Sequence, residues 1–85
     1  MAEVVIYTKP GCPYCTAAMA LLKRKGVDFT EIVASRDPEL KAEMVARAGG
    51  KSTFPQIFVG EKHIGGSDDI HALDARGGLA PLVAA

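Results

Sequence analysis

Neither sign of charge is in excess in this sequence: ten Lys and Arg stand against ten Asp and Glu over 85 residues, for a formal net charge of zero. A surface so balanced has no field to gather nucleic-acid phosphates or an anionic membrane, so neither is expected as a partner. No apolar run approaches the roughly 18 residues of a membrane span. Met1-Ala2-Glu3 leads straight into a strand-like segment with no basic stretch and no long apolar one. No signal peptide is therefore expected, and a cytoplasmic location is. There are no repeats, low-complexity segments or linkers, which leaves one domain over residues 1–85, small but within the range that folds alone.

Cysteine is scarce. The chain has two, Cys12 and Cys15, both in Lys9-Pro10-Gly11-Cys12-Pro13-Tyr14-Cys15. With no second Cys pair, and with His63 and His71 eight apart, the usual ligand spacing of a structural zinc site is missing, and no metal is expected. A structural disulfide is also a poor reading, because a bridge over so short a loop removes little chain entropy. In the cytoplasm thiols are kept reduced, and a Cys pair there is more often catalytic than structural. Residues three apart at a helix start lie roughly 5 Å from one another, inside the window of about 4.4–6.8 Å that a disulfide needs. The pair can close and reopen without moving the fold.

The two sulfurs are not equivalent. Pro13 suits a first helical turn, where its missing N–H costs nothing. Cys12 then sits at the N-cap, facing free N–H groups and the positive end of the helix dipole, with Lys9 three residues upstream. Both favour the thiolate, which is the nucleophile. Cys15 falls on a stripe with Ala18, Met19 and Leu22, at the spacing of a core-facing helix side. The expectation is an exposed, reactive Cys12 and a buried, less reactive Cys15.

Along the chain, Glu3–Thr8 reads as a strand. Its run Val4-Val5-Ile6-Tyr7 is continuous rather than alternating, so both faces should be covered. A helix follows from about Cys12 to Lys25, stopped at Gly26, and Val27–Val33 is read as the next strand. This βαβ unit should be right-handed with parallel strands. Ser35-Arg36-Asp37-Pro38-Glu39 opens a second helix with Leu40, Met44 and Val45 toward the core, closed by Gly49-Gly50. Gln56–Val59, the turn Gly60-Glu61 and Lys62-His63-Ile64 form a hairpin, in which His63 is read as a surface residue on an edge strand. Ser67-Asp68-Asp69 opens a third helix with Ile70 and Leu73 inward, ended by Gly77-Gly78. Leu79–Ala85 makes a last helical turn packing Leu79 and Leu82. The order β-α-β-α-β-β-α, with Cys-x-x-Cys at the first strand-to-helix corner, is that of a thioredoxin-like α/β domain with a four-stranded mixed sheet.

These residues resemble a known family, the glutaredoxins, in its small bacterial dithiol form. Cys12-Pro13-Tyr14-Cys15 is similar to its active site and Thr53-Phe54-Pro55-Gln56-Ile57-Phe58 to its Thr-Val-Pro segment. Gly65-Gly66-Ser67-Asp68-Asp69 is similar to its glutathione-binding loop, and Ala72–Leu79 to its last long helix. Two departures stand out: Phe54 replaces the usual Val, and the loop Gly49-Gly50-Lys51-Ser52 is one residue longer.

The resemblance implies a glutathione-dependent thiol–disulfide oxidoreductase. Cys12 would be its nucleophile and Cys15 its resolving thiol. It implies a cis bond at Phe54-Pro55 that turns the Phe54 backbone toward Cys12, where it could pair with a bound peptide thiol. For glutathione as co-substrate, it implies a cleft of Lys9, Tyr14, Thr53, Phe54, Pro55, Gly66, Ser67 and Asp68. The amides of Ser67 and Asp68 suit a carboxylate, and Asp68, with Asp69 beside it, suits the γ-glutamyl ammonium. Lys9, and more weakly Arg47 and Lys51, suit the glycyl carboxylate. Partners implied are glutathionylated or disulfide-containing proteins, ribonucleotide reductase among the family's substrates, with glutathione reductase and NADPH indirectly. The absence of a spare apolar face favours a monomer. Two alternatives remain open at this point: a redoxin reduced directly by a flavoprotein, and an iron–sulfur carrier in which two subunits share a cluster through Cys12 and two glutathiones.

Overall fold

Strand β1 (Val4–Thr8) lies between two neighbours, and every one of its five residues is buried. The structure, a computed structural model, describes residues 2–84. Its elements continue with α1 (Pro13–Arg24), β2 (Thr30–Val33), α2 (Pro38–Arg47), β3 (Gln56–Val59), β4 (Lys62–Gly65), α3 (Ser67–Ala75) and α4 (Leu79–Ala84). The sheet order is β2-β1-β3-β4, with β1 parallel to β2 and the pairs β1–β3 and β3–β4 antiparallel. This is the expected four-stranded mixed sheet of a thioredoxin-like α/β fold.

Both faces of the sheet are covered, which explains the unbroken apolar run of β1. Side chains of a strand alternate between faces. Val4 and Ile6 join Ala18, Leu21, Leu22, Ile70, Leu79 and Val83 beneath α1, α3 and α4. Val5 and Tyr7 join Ala34, Met44, Ala48 and Phe58 beneath α2. Burying one such Ile or Leu contributes about 1.5–3 kcal/mol. Cys15, Ala18 and Leu22 are buried on α1 as the stripe required, Leu21 is buried with them, and Met19 is partly buried against the same core.

Three local expectations change. The second strand starts at Thr30, not Val27. Gly26 adopts φ +68° and the Val27 amide donates back to the Leu22 carbonyl at 2.9 Å. This closes the end of α1, so Val27 and Phe29 pack on the core as a connector. His63 is half-buried rather than a surface residue, its ring 5.0 Å from that of Phe58. In α4 the fully buried pair is Leu79 and Val83, with Leu82 partly buried beside them. Ala85 lies outside the described residues.

Candidate active site

The first turn of α1 forms as its sequence requires. Cys12 is the N-cap in extended conformation (φ −94°, ψ 111°), Pro13 follows at the helix start, and no acidic residue sits in the first turn to offset the dipole. The Cys15 amide donates to the Cys12 sulfur at 3.3 Å. The Thr16 amide at 3.1 Å and the Thr16 hydroxyl at 3.2 Å donate to the Cys12 carbonyl. Both cysteines are free thiols.

Cys12 is not exposed: it retains 4% of its surface, against 2% for Cys15. An N-cap side chain folds back over the first turn to meet its amides, so the contact that favours the thiolate also withdraws the sulfur from solvent. The asymmetry therefore lies in hydrogen bonding and charge, not in access. Burial pushes the Cys12 thiol up, but the Cys15 side chain, the amides of Cys15 and Tyr14 and the Lys9 ammonium outweigh it and hold Cys12 below its ordinary value. Cys15 is driven the other way, to about 11, by burial first and then by its hydrogen bond to Cys12 and the repulsion of a thiolate there.

Beside this helix tip lies a cleft of about 310 Å3 lined by Tyr14, Lys51, Thr53, Phe54, Pro55, Gln56, Gly66, Ser67, Asp68 and Asp69. It is formed where the loop before β3 meets the start of α3. The Phe54-Pro55 bond is cis, and neither the N–H nor the C=O of Phe54 has a hydrogen-bond partner among the described residues. Gly66 is the N-cap of α3, so the amides of Ser67 and Asp68 in its first turn have no intrahelical acceptor. A Cβ on Gly66 would stand 3.4 Å from the Pro55 carbonyl oxygen, which is how closely the two walls approach.

Seven of the ten sequence-derived site residues line this cleft: Tyr14, Thr53, Phe54, Pro55, Gly66, Ser67 and Asp68. Cys12 and Cys15 stand at the tip of α1, next to Tyr14, which is 64% exposed. Lys9 is outside the lining and reaches the site through its charge on Cys12. The two further basic candidates separate. Lys51 lines the cleft, whereas Arg47 is committed elsewhere. Its Nη1 donates to the Tyr7 hydroxyl at 2.9 Å, its guanidinium lies 4.3 Å from the centre of the Phe58 ring, and Tyr7 in turn donates to Glu43 at 3.0 Å. Asp69 spends one oxygen on the Gly66 amide at 2.9 Å, so of the two carboxylates that line the cleft Asp68 is the one free of such a bond.

Sequence reasoning placed Gln56 in a strand and His63 on the surface and assigned neither to the site. The Gln56 carboxamide is buried and fully bonded: Nε2 donates to the Thr53 carbonyl at 2.9 Å and to the Thr53 hydroxyl at 3.0 Å, and Oε1 meets His63 Nε2 at 2.6 Å. The available signal was a Gln heading the apolar run Ile57-Phe58-Val59, since a buried amide needs partners.

The family described as Glutaredoxin matches residues 4–64. A glutaredoxin of Pseudomonas aeruginosa is 55% identical over 85 residues, covering 100% of both chains. Glutaredoxin 3 of Escherichia coli is 54% identical over 83 residues, covering 98% of this chain and 99% of that protein. The solution structure of a glutaredoxin from Brucella melitensis superposes with a TM-score of 0.85 at 58% identity, covering 98% of this chain and 89% of the other. A buckwheat glutaredoxin–glutathione complex superposes with a TM-score of 0.86 at 27% identity, covering 98% and 77%. With its dithiol corner, its fold and these relatives in agreement, the chain belongs to the glutaredoxin family of thiol–disulfide oxidoreductases.

Proposed function

We propose that the protein is a glutathione-dependent oxidoreductase that reduces protein–glutathione mixed disulfides and protein disulfides in the cytoplasm. The observation that carries this reading is the placing of a stabilised Cys12 thiolate beside a cleft whose polar groups suit a γ-glutamyl peptide. The unpaired amides of Ser67 and Asp68 suit its carboxylate, and the Asp68 carboxylate suits its ammonium. Lys51, which lines the cleft, suits the glycyl end. The unpaired Phe54 backbone suits the peptide chain, as in strand addition. A family relative that was solved as a glutathione complex supports the same ligand.

The Cys12 thiolate attacks the glutathione sulfur of a mixed disulfide. The S–S bond breaks, the substrate sulfur leaves as thiolate and takes up a proton, and glutathione remains bonded to Cys12. A second glutathione thiolate attacks the glutathione sulfur, forming glutathione disulfide and restoring the Cys12 thiolate. With a protein disulfide, Cys12 attacks one sulfur and the other leaves as thiolate. Cys15 then attacks the Cys12 sulfur, releasing the substrate's second thiolate and forming a Cys12–Cys15 disulfide, which two glutathiones reduce with release of glutathione disulfide. Two of the influences that raise Cys15 come from Cys12, its hydrogen bond and its negative charge. Both vanish once the Cys12 sulfur is covalently engaged, so the second thiol is released for attack only when it is needed.

The test is a reduction assay coupled to glutathione, glutathione reductase and NADPH, run on the wild type, Cys12→Ser and Cys15→Ser. The expected result is no turnover without Cys12, and deglutathionylation retained without Cys15. Turnover with a flavoprotein reductase but none with glutathione would replace this reading with that of a directly reduced redoxin.

A further inference from the structure

Gln56 heads β3 in the floor of the cleft and keeps only 1% of its surface. Its amide orientation follows from its partners. The Thr53 carbonyl can only accept, so the group 2.9 Å from it must be the Gln56 NH2. That places Oε1, an acceptor, 2.6 Å from His63 Nε2. A neutral imidazole carries one N–H, so His63 must hold its proton on Nε2 and donate it to Gln56. The ring has a fixed seat: His63 is paired with Phe58 across the hairpin, and the two rings are 5.0 Å apart with planes inclined by 33°.

The chain of bonds ends at Thr53. Gln56 Nε2 holds both its carbonyl and its hydroxyl oxygen. Because that oxygen already accepts a hydrogen bond from Gln56, the Thr53 hydroxyl hydrogen is free to donate, and Thr53 lines the cleft. The loop that carries Thr53 and Phe54 has no strand or helix of its own, so this side-chain relay ties it to the sheet.

We propose that His63 and Gln56 are positioning residues for the peptide ligand: His63 orients Gln56, and Gln56 fixes the Thr53 carbonyl and turns the Thr53 hydroxyl into a donor toward a carboxylate or peptide carbonyl in the cleft. This rests on the cleft being the glutathione site. Neither residue touches a reacting sulfur, so the relay acts on binding and leaves the chemical step alone.

The test uses the full chain with a glutathionylated peptide at saturating glutathione. His63→Phe keeps an aromatic ring against Phe58 and removes the donor. It should raise KM about 3- to 10-fold, the effect of one hydrogen bond, while kcat and the pH dependence of Cys12 alkylation stay as in the wild type. His63→Gln, which returns an N–H donor, should bring KM back toward the wild-type value. Gln56→Glu matches the shape but replaces the donor facing the Thr53 carbonyl with a carboxylate oxygen, and should raise KM more than His63→Phe. Independently of any variant, 15N spectra of the wild type should show the neutral His63 ring protonated at Nε2.

A wild-type KM in His63→Phe, a raised KM that His63→Gln does not restore, or a ring protonated at Nδ1 would each overturn the relay. Absence of glutathione-dependent turnover in the wild type would instead overturn the proposed function, and the ring spectrum would still judge the relay.

Discussion

The Cys15 amide nitrogen stands 3.3 Å from the Cys12 sulfur, and that contact divides two nearly equally buried thiols into a nucleophile and a reserve. A thiolate at Cys12 gains an N–H donor and the end of the helix dipole. A thiolate at Cys15 would have the Lys9 backbone as donor, but burial first, and then the Cys12 hydrogen bond and charge, outweigh that help. Alkylation followed against pH should therefore label Cys12 first, with a midpoint below that of an ordinary thiol. Cys15 should react only toward pH about 11. Equal labelling of the two positions near neutrality would refute the asymmetry on which the catalytic assignment depends.

Lys9 is exposed, and its ammonium lowers the Cys12 thiol through space rather than by contact with the ligand cleft. Lys9→Glu should slow Cys12 alkylation at pH 7 by about two- to fivefold, the scale of an exposed charge interaction. Added salt should shrink the difference between variant and wild type, because charges in water are screened over about 10 Å at 0.1 M. A rate indifferent to both the substitution and the salt would show that the Lys9 charge does not reach the sulfur.

What the sequence discloses here follows from how local each signal is. Pro13 after Cys12, Gly26 after Lys25 and Asp37 before Pro38 act within a turn. Each does what its position requires, Asp37 accepting the amides of Glu39 and Leu40 at 3.0 and 3.2 Å. The run in β1 revealed a strand covered on two faces, because periodicity reports burial directly. The relay from His63 through Gln56 to Thr53 was not legible, because it exists only once β3 and β4 are paired, with a register shift between Ile57 and Phe58. Arg47 and Lys51 were indistinguishable as two basic residues flanking a loop. Only the packing of α2 against Tyr7 and Phe58 engages the exposed Arg47 with those two rings and leaves Lys51 to the cleft.

That division makes opposite expectations for the two cations. Arg47→Ala removes a hydrogen bond to Tyr7 and a cation over the Phe58 ring. It should cost about 1–2 kcal/mol of stability in denaturant unfolding with little change in glutathione affinity. Lys51→Ala should leave the unfolding midpoint in place and weaken binding of glutathione to the Cys12→Ser protein. The reverse pattern, with Arg47→Ala altering affinity alone, would return Arg47 to the site.

Gly65 and Gly66 adjoin in sequence but not in what they tolerate. Gly65 adopts φ +118°, and a Cβ there would run into the Asp69 carboxylate, which holds the Gly66 amide. Gly65→Ala should strain the backbone and displace that cap together, for a loss above about 2 kcal/mol. Gly66 has an ordinary negative φ and an approach of 3.4 Å to the Pro55 oxygen. Gly66→Ala should fold with a stability near that of the wild type and show its effect in the cleft, as a raised KM. Thermal unfolding of the two variants side by side checks the ordering.

The opposed shifts of the two thiols should also mark the stability of the protein against pH. Cys12 is held below its unfolded value near 9.0, so its contribution is complete above that pH and is lost as pH falls through the folded value. Cys15 is raised to about 11 from 9.0. Its contribution is complete below pH 9.0 and is lost as pH rises through about 11. Reduced wild-type protein should therefore gain stability as pH rises from the lowered Cys12 value toward about 9.0 and lose it as pH rises on through about 11. Each thiol is among the causes of the other's shift, so each variant trims both limbs, and which limb disappears makes the assignment. Cys12→Ser should lack the rise, and Cys15→Ser should lack its share of the fall, in urea unfolding measured at closely spaced pH values with a reductant present. A Cys12→Ser protein that still gained stability between pH 7 and 9 would place the depressed group elsewhere in the chain.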